Sequence, residues 1–175
     1  AIAIPEIQRP FVWRRTQVRY LIDSLYKGYP TGYIILWKNP NVKLKDGTIS
    51  SGKKVLIDGQ QRITAMMTAI AGRTVFNSEY KEDRITIAFN PLAAKSNDPD
   101  AEIFAVTTPA IRKSKWWIPD IAELFSTSYS SFKFIPKYCE ANPEMEPEEL
   151  ERIISKVKGI ANRMIGVIEL SENLD

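Results

Sequence analysis

The chain of 175 residues contains no histidine. That absence removes imidazole general bases, Ser-His-Asp triads, Cys-His dyads and histidine metal ligands together. A single cysteine, Cys139, excludes an intrachain disulfide and a multi-cysteine zinc site. It reads as a small buried or half-buried residue on a helix. Any metal must therefore sit on oxygen ligands, which points to ions of the Mg²⁺ kind. No run of about 18 apolar residues occurs, so no membrane-spanning helix is expected. The opening AIAIPEIQRP lacks the basic stretch and long apolar stretch of a signal peptide. A cytoplasmic location is the corresponding expectation. The two ends, AIAIPEIQRP and VIELSENLD, read as the cut edges of a longer chain.

What is present is ordinary for a globular domain with its own core: 44% hydrophobic and 26% charged residues. The charge is uneven. Residues 1–84 hold 14 Lys/Arg against 7 Asp/Glu, whereas residues 85–175 hold 10 against 14. A basic half suits phosphates, free or in a nucleic acid.

Periodicity predicts an α+β chain. Short strands are expected over Ile2–Gln8, Tyr33–Trp37, Lys54–Ile57, Arg84–Phe89, Ile103–Thr107 and Gly166–Leu170. Thr16–Lys27 repeats Val18, Leu21, Ile22 and Leu25 at helical spacing, with Gly28 as a stop. Gln60–Ala71 is a second helix, with Ile63, Met66, Met67 and Ile70 on one face and Gly72 beyond. The later part turns helical: Pro119–Phe125, Ser130–Glu140 (interrupted by Pro136) and Pro147–Arg163. In the last, Leu150, Ile153, Ile154, Val157, Ile160, Ala161 and Met164 form a stripe. Linkers are expected at Asn90–Asp100 and Ala141–Glu146. The chain thus divides into a mixed part, 1–110, and a mainly helical extension, 111–175.

The stretch KVLIDGQQRIT carries the chemistry. A strand ending in Asp58-Gly59 before a helix leaves unpaired N–H groups at the helix start, where anions are favoured. Gly59 permits a tight turn or a close approach to a ligand. Arg62 offers a planar fork for phosphate oxygens. Gln60 and Gln61 can donate to phosphates or orient a water. Asp58 can hold Mg²⁺, directly or through water. These are the parts phosphoryl chemistry needs. The competing reading is a structural turn, with Asp58 as the helix N-cap and Arg62 paired to a neighbouring carboxylate.

Three blocks in order, IPEIQRPFVW (Ile4–Trp13), LIDSLYKGYPTGYIILW (Leu21–Trp37) and VLIDGQQRIT, resemble the N-terminal domain of GmrSD-type restriction endonucleases. The likeness is weak beyond about Ile70. It implies a ParB/sulfiredoxin-like fold: a small mixed sheet packed with helices. It also implies Mg²⁺-assisted binding and hydrolysis of a nucleoside triphosphate, with Asp58, Gln61 and Arg62 catalytic. Gln8, Arg9, Gly32, Gly59, Gln60 and Arg62 would bind the nucleotide, and Asp58 the metal. The implied setting is a prokaryotic anti-phage system that attacks modified DNA, with an HNH-type nuclease in a separate C-terminal domain. A chain without histidine cannot contain that centre. Sulfiredoxin chemistry is not supported, because the signature loop has no cysteine. The alternatives are a ParB-like switch that binds nucleotide or DNA without turnover, or a nuclease domain; the lack of histidine and of a D…E-x-K pattern argues against the nuclease.

Two basic clusters remain. Arg14, Arg15 and Arg19 beside the first helix suit a DNA backbone or plain solvation. RKSKWW (Arg112–Trp117) suits phosphate contact with base stacking, or a solvated loop leading into buried tryptophans. Phe11, Val12 and Trp13 read as core or as a hydrophobic entry to the first helix, rather than as a base-stacking platform. Thr31-Gly32 reads as a phosphate approach or an ordinary loop.

Overall fold

The computed structural model describes residues 2–3, 10–38, 41–44, 47–50, 53–96 and 98–171. Helix α1 spans Arg15–Lys27 and buries Val18, Leu21, Ile22, Leu25 and Tyr26 along one stripe. Its start is fixed by Gln17, whose Oε1 accepts from the Arg14 amide at 2.8 Å. Its end is fixed by Gly28, at φ +77, the left-handed conformation that glycine reaches without steric cost.

A four-stranded mixed sheet holds β1 (Ile2–Ala3), β2 (Ile34–Trp37), β3 (Lys54–Asp58) and β8 (Val167–Leu170) in the order β1-β3-β2-β8. β2 runs antiparallel to β3 and parallel to β8, with Ile34 opposite Val167. Ile34, Leu36 and Leu56 pack under α2 (Gln60–Ala69) with Ile63 and Ile165. Two small antiparallel pairs complete the strands: β4 (Val75–Phe76) with β5 (Glu82–Asp83), and β6 (Ile87–Phe89) with β7 (Phe104–Val106). Short helices α3 (Pro91–Lys95), α4 (Pro109–Lys113) and α5 (Ala122–Phe125) lead to α6 (Ser131–Ala141) and α7 (Pro147–Lys158). The main core draws on Phe11, on α1, α2, β6 and β7, and on α6 and α7 together. The α+β class expected from periodicity is the one observed.

Several expectations are corrected. On α2 the expected Met66 and Ile70 pack half-buried against the main core and Ile63 against the sheet, but the fully buried residues are Ala65, Thr68 and Ala69, and Met67 is 42% exposed. Small side chains let α2 lie close to α1, and the Thr68 hydroxyl accepts from the Ile85 amide at 2.9 Å. The Arg84–Phe89 strand shortens to Ile87–Phe89, and Ile85 to Phe89 are all buried, without the alternation of a half-exposed strand. The linker at 90–100 contains α3, whose first turn is capped by Asn90 Oδ1 accepting from the Leu92 and Ala93 amides; Asn-Pro was the available signal. The last long helix stops at Lys158, and a 3₁₀ turn, Gly159–Asn162, follows. Met164 is therefore fully exposed and does not extend the core stripe. Cys139 is half-buried on α6, as expected. Among the described residues no helix is long and apolar enough to cross a membrane.

Candidate functional site

β3 ends in an irregular pairing. Leu56 lies opposite Leu36 but Asp58 lies opposite Ile35, so Ile57 is an extra residue. A bulge of this kind bends a strand and re-aims the next side chain. The Asp58 carboxylate emerges 67% exposed. Gly59 then turns the chain at φ +98, and a Cβ there would fall 3.1 Å from Ile34 Cγ1. The first bond of the α2 ladder runs from the Ile63 amide to the Gly59 carbonyl at 3.0 Å. The amides of Gln60, Gln61 and Arg62 precede it.

Arg62 does not project into solvent; its side chain is 18% exposed. Nη1 donates to the Thr31 carbonyl at 2.7 Å and Nη2 to the Tyr33 carbonyl at 2.5 Å. Nη2 also reaches Asp58 Oδ2 at 3.2 Å. Between the two carbonyls, Gly32 holds φ +84, and a Cβ would lie 2.6 Å from Arg62 Nη1. The close approach at Gly32 is thus to the guanidinium. Three of the five N–H groups of Arg62 are engaged in these bonds.

Gln61 spans the other direction. Its Oε1 accepts from the Val12 amide at 2.9 Å and its Nε2 donates to the Pro10 carbonyl at 3.1 Å. Neighbouring residues of α2 therefore hold two distant segments, 10–12 and 31–33. Gln60 is half-buried. Gln8 and Arg9 lie outside the described residues. Of the next block, Phe11 is buried and Trp13 half-buried, while Val12 is 52% exposed and not core. Gln61→Ala is expected to cost about 1–2 kcal/mol, to lower Tm by about 2–8 °C, and to speed amide hydrogen exchange at Val12. Unchanged exchange there would show that the tether is not what orders the segment.

A cleft of about 390 Å³ adjoins the gripped loop, bounded by Gly28–Tyr33 and by Arg163–Gly166. Arg163 was not singled out by its sequence. Its Nε donates to the Leu25 carbonyl at 3.0 Å and its Nη2 to the Tyr26 carbonyl at 3.2 Å, so it completes the end of α1. No local signal could reveal it, because its partners lie 138 and 137 residues away. Gly166 leaves room for the Tyr33 ring, which a Cβ would meet at 2.6 Å.

The arginines by α1 are not equivalent. Arg15 forms two hydrogen bonds to Asp83, at 2.8 and 3.0 Å. The Arg19 guanidinium lies 4.0 Å from the centre of the Tyr20 ring. Arg14 is exposed. Cys139 offers no nucleophile, since burial and the charge of Glu146 push its thiol up. Among the described residues no group of three His, Cys, Asp or Glu side chains gathers. A lone, exposed carboxylate such as Asp58 fits Mg²⁺ carried in with phosphates and waters, and does not fit an all-protein cage.

No curated protein matches the chain. Residues 1–173 match the family described as GmrSD restriction endonuclease, N-terminal domain. The match extends far past the three blocks that first suggested it. The chain belongs to the GmrSD restriction endonuclease N-terminal domain family, and with it to the components of restriction systems.

Proposed function

We propose that this domain binds a nucleoside triphosphate at the Asp58–Arg62 turn and hydrolyses it with Mg²⁺, the cycle gating DNA cutting by an HNH-type nuclease domain elsewhere in the system. The supporting observation is the joint presentation of an exposed Asp58, the unladdered amides at the start of α2, and an anchored Arg62. In this reading the α2 amides receive phosphate oxygens. Arg62 keeps its fork in register because Thr31 and Tyr33 hold it, so little ordering cost remains when phosphate arrives. Asp58 would hold Mg²⁺, which supplies charge neutralisation on the phosphates. Gln60, Gln8 and Arg9 are the further nucleotide contacts, and modified phage DNA is the polymer attacked.

A second reading, a ParB-like switch that binds nucleotide without turnover, is favoured by one observation. Gln61 and Arg62 both spend their side chains on backbone carbonyls and amides of other segments, which suits moving those segments more than activating a water. Asp58→Asn separates the two. The residue is exposed, so Tm is expected to stay nearly constant, while Mg²⁺-dependent phosphate release falls on the order of 10²-fold or more. Undiminished release refutes the hydrolytic reading. If no nucleoside triphosphate raises the Tm of the wild-type domain, both readings fail.

A further inference from the structure

The segment from the end of α4 onward is rigid in its backbone and open in its side chains. Asn142 is fully buried, and its Nδ2 donates to the Lys115 carbonyl at 2.9 Å. The Tyr138 hydroxyl donates to the Trp116 carbonyl at 2.7 Å. Burial, with smaller effects from Glu144 and Cys139, raises the Tyr138 phenol well above its ordinary range, so this donor stays protonated. Downstream, Ile118 exchanges both backbone bonds with Phe89, at 2.7 and 2.9 Å. Upstream, the Thr107 hydroxyl donates to the Pro119 carbonyl at 2.6 Å and the Thr108 side chain caps α4. A strip fixed at both ends and in its middle has little freedom to bury what it carries.

What it carries is outward-facing. Arg112, Lys113, Lys115 and Trp116 are all exposed, Trp116 at 51%. The alternative of a loop leading into buried tryptophans therefore fails at Trp116. No ion pair engages these three cations among the described residues, in contrast to Arg15, which Asp83 holds. Cations without acids await phosphates, and an indole face held in water awaits another flat ring. Duplex DNA offers phosphates but hides its base faces, so the combination suits a strand whose bases are unstacked.

We propose that Arg112–Trp116 is a binding site for single-stranded DNA, with one base stacked on Trp116 and the backbone phosphates on Arg112, Lys113 and Lys115. The site is independent of the nucleotide reading. It uses no residue of the Asp58–Arg62 turn, and DNA is the polymer a restriction system acts on.

The test is fluorescence anisotropy of the whole domain with a labelled oligothymidylate of about 16 nucleotides, compared with a duplex of the same length, across a salt series. The wild type is expected to favour the single strand. Trp116→Ala is expected to weaken binding about tenfold to a hundredfold, the loss of one stacked base, while Trp116→Phe retains most of the affinity. Replacing Arg112, Lys113 and Lys115 together by Ala is expected to reduce the salt slope by about two, at about 0.7 per phosphate on a single strand. Equal or tighter binding to the duplex overturns the proposal. So does undetectable binding by the wild type, or a slope and affinity that neither set of substitutions moves. Because Phe preserves a ring on the same pinned backbone, its behaviour distinguishes lost stacking from lost folding.

Discussion

Arg62→Ala is expected to lower the stability of the domain by about 3 kcal/mol and its Tm by about 6–12 °C. The substitution removes three hydrogen bonds from a side chain that is only 18% exposed. Two of these go to the carbonyls of Thr31 and Tyr33, which shape one wall of the 390 Å³ cleft. Bonds from a charged donor are worth more than neutral ones. Arg62→Lys is expected to recover little, because one ammonium cannot span two carbonyls and a carboxylate with the geometry of a planar fork. Thermal unfolding of both variants checks the first claim. On the proposed nucleotide reading, nucleotide-induced stabilisation should vanish in both variants, while Asp58→Asn retains its fold. An Arg62→Lys protein as stable as wild type would show that the loop holds itself.

Phe89→Ala is expected to cost about 3–5 kcal/mol, a large part of the roughly 5–15 kcal/mol that holds a typical domain together. Phe89 is completely buried on β6. Its ring lies 5.3 Å from Phe104 and 6.4 Å from Tyr26, and Tyr26 meets Phe104 edge-on at 5.2 Å. This trio joins α1 to the β6–β7 pair, so the cavity would open where two parts of the fold meet. Phe89→Leu should cost much less. Denaturant unfolding gives the difference, and on the proposed reading affinity for nucleotide in the folded fraction should not change. A matching loss of affinity would tie the trio to the site directly.

The sequence made some of this legible for clear reasons. α1 and α7 carry strong apolar stripes with end signals, Gly28 and Pro147, and both form near the expected residues. The Asp58-Gly59 turn into α2 was readable because a strand, a glycine and a new period follow one another there. The buried face of α2 was readable only in part, through Ile63, Met66 and Ile70. Its Ala65, Thr68 and Ala69 look neutral on a hydropathy scale, and only the neighbouring α1 gives them their value. The roles of Gln61 and Arg62 as tethers were equally hidden, since their partners are backbone atoms 29 to 51 residues away. Met164 misled because the period runs on after Gly159 has tightened the helix. The choice between the two readings of Trp116 was hidden, because nothing local says that Asn142 and Tyr138 hold the Lys115 and Trp116 carbonyls.

β2 is the strand whose neighbours are most unlike in sequence distance. β3 arrives about twenty residues later, β8 more than a hundred. The Ile34 amide bonds to the Gly166 carbonyl, and Arg163 closes the end of α1. During synthesis, the Pro30–Tyr33 wall would leave the ribosome long before either partner existed. Non-local closures of this kind are slow and come late. A nascent chain would then carry the Asp58-Gly59 turn well before residues 163–170 close the neighbouring cleft and sheet edge.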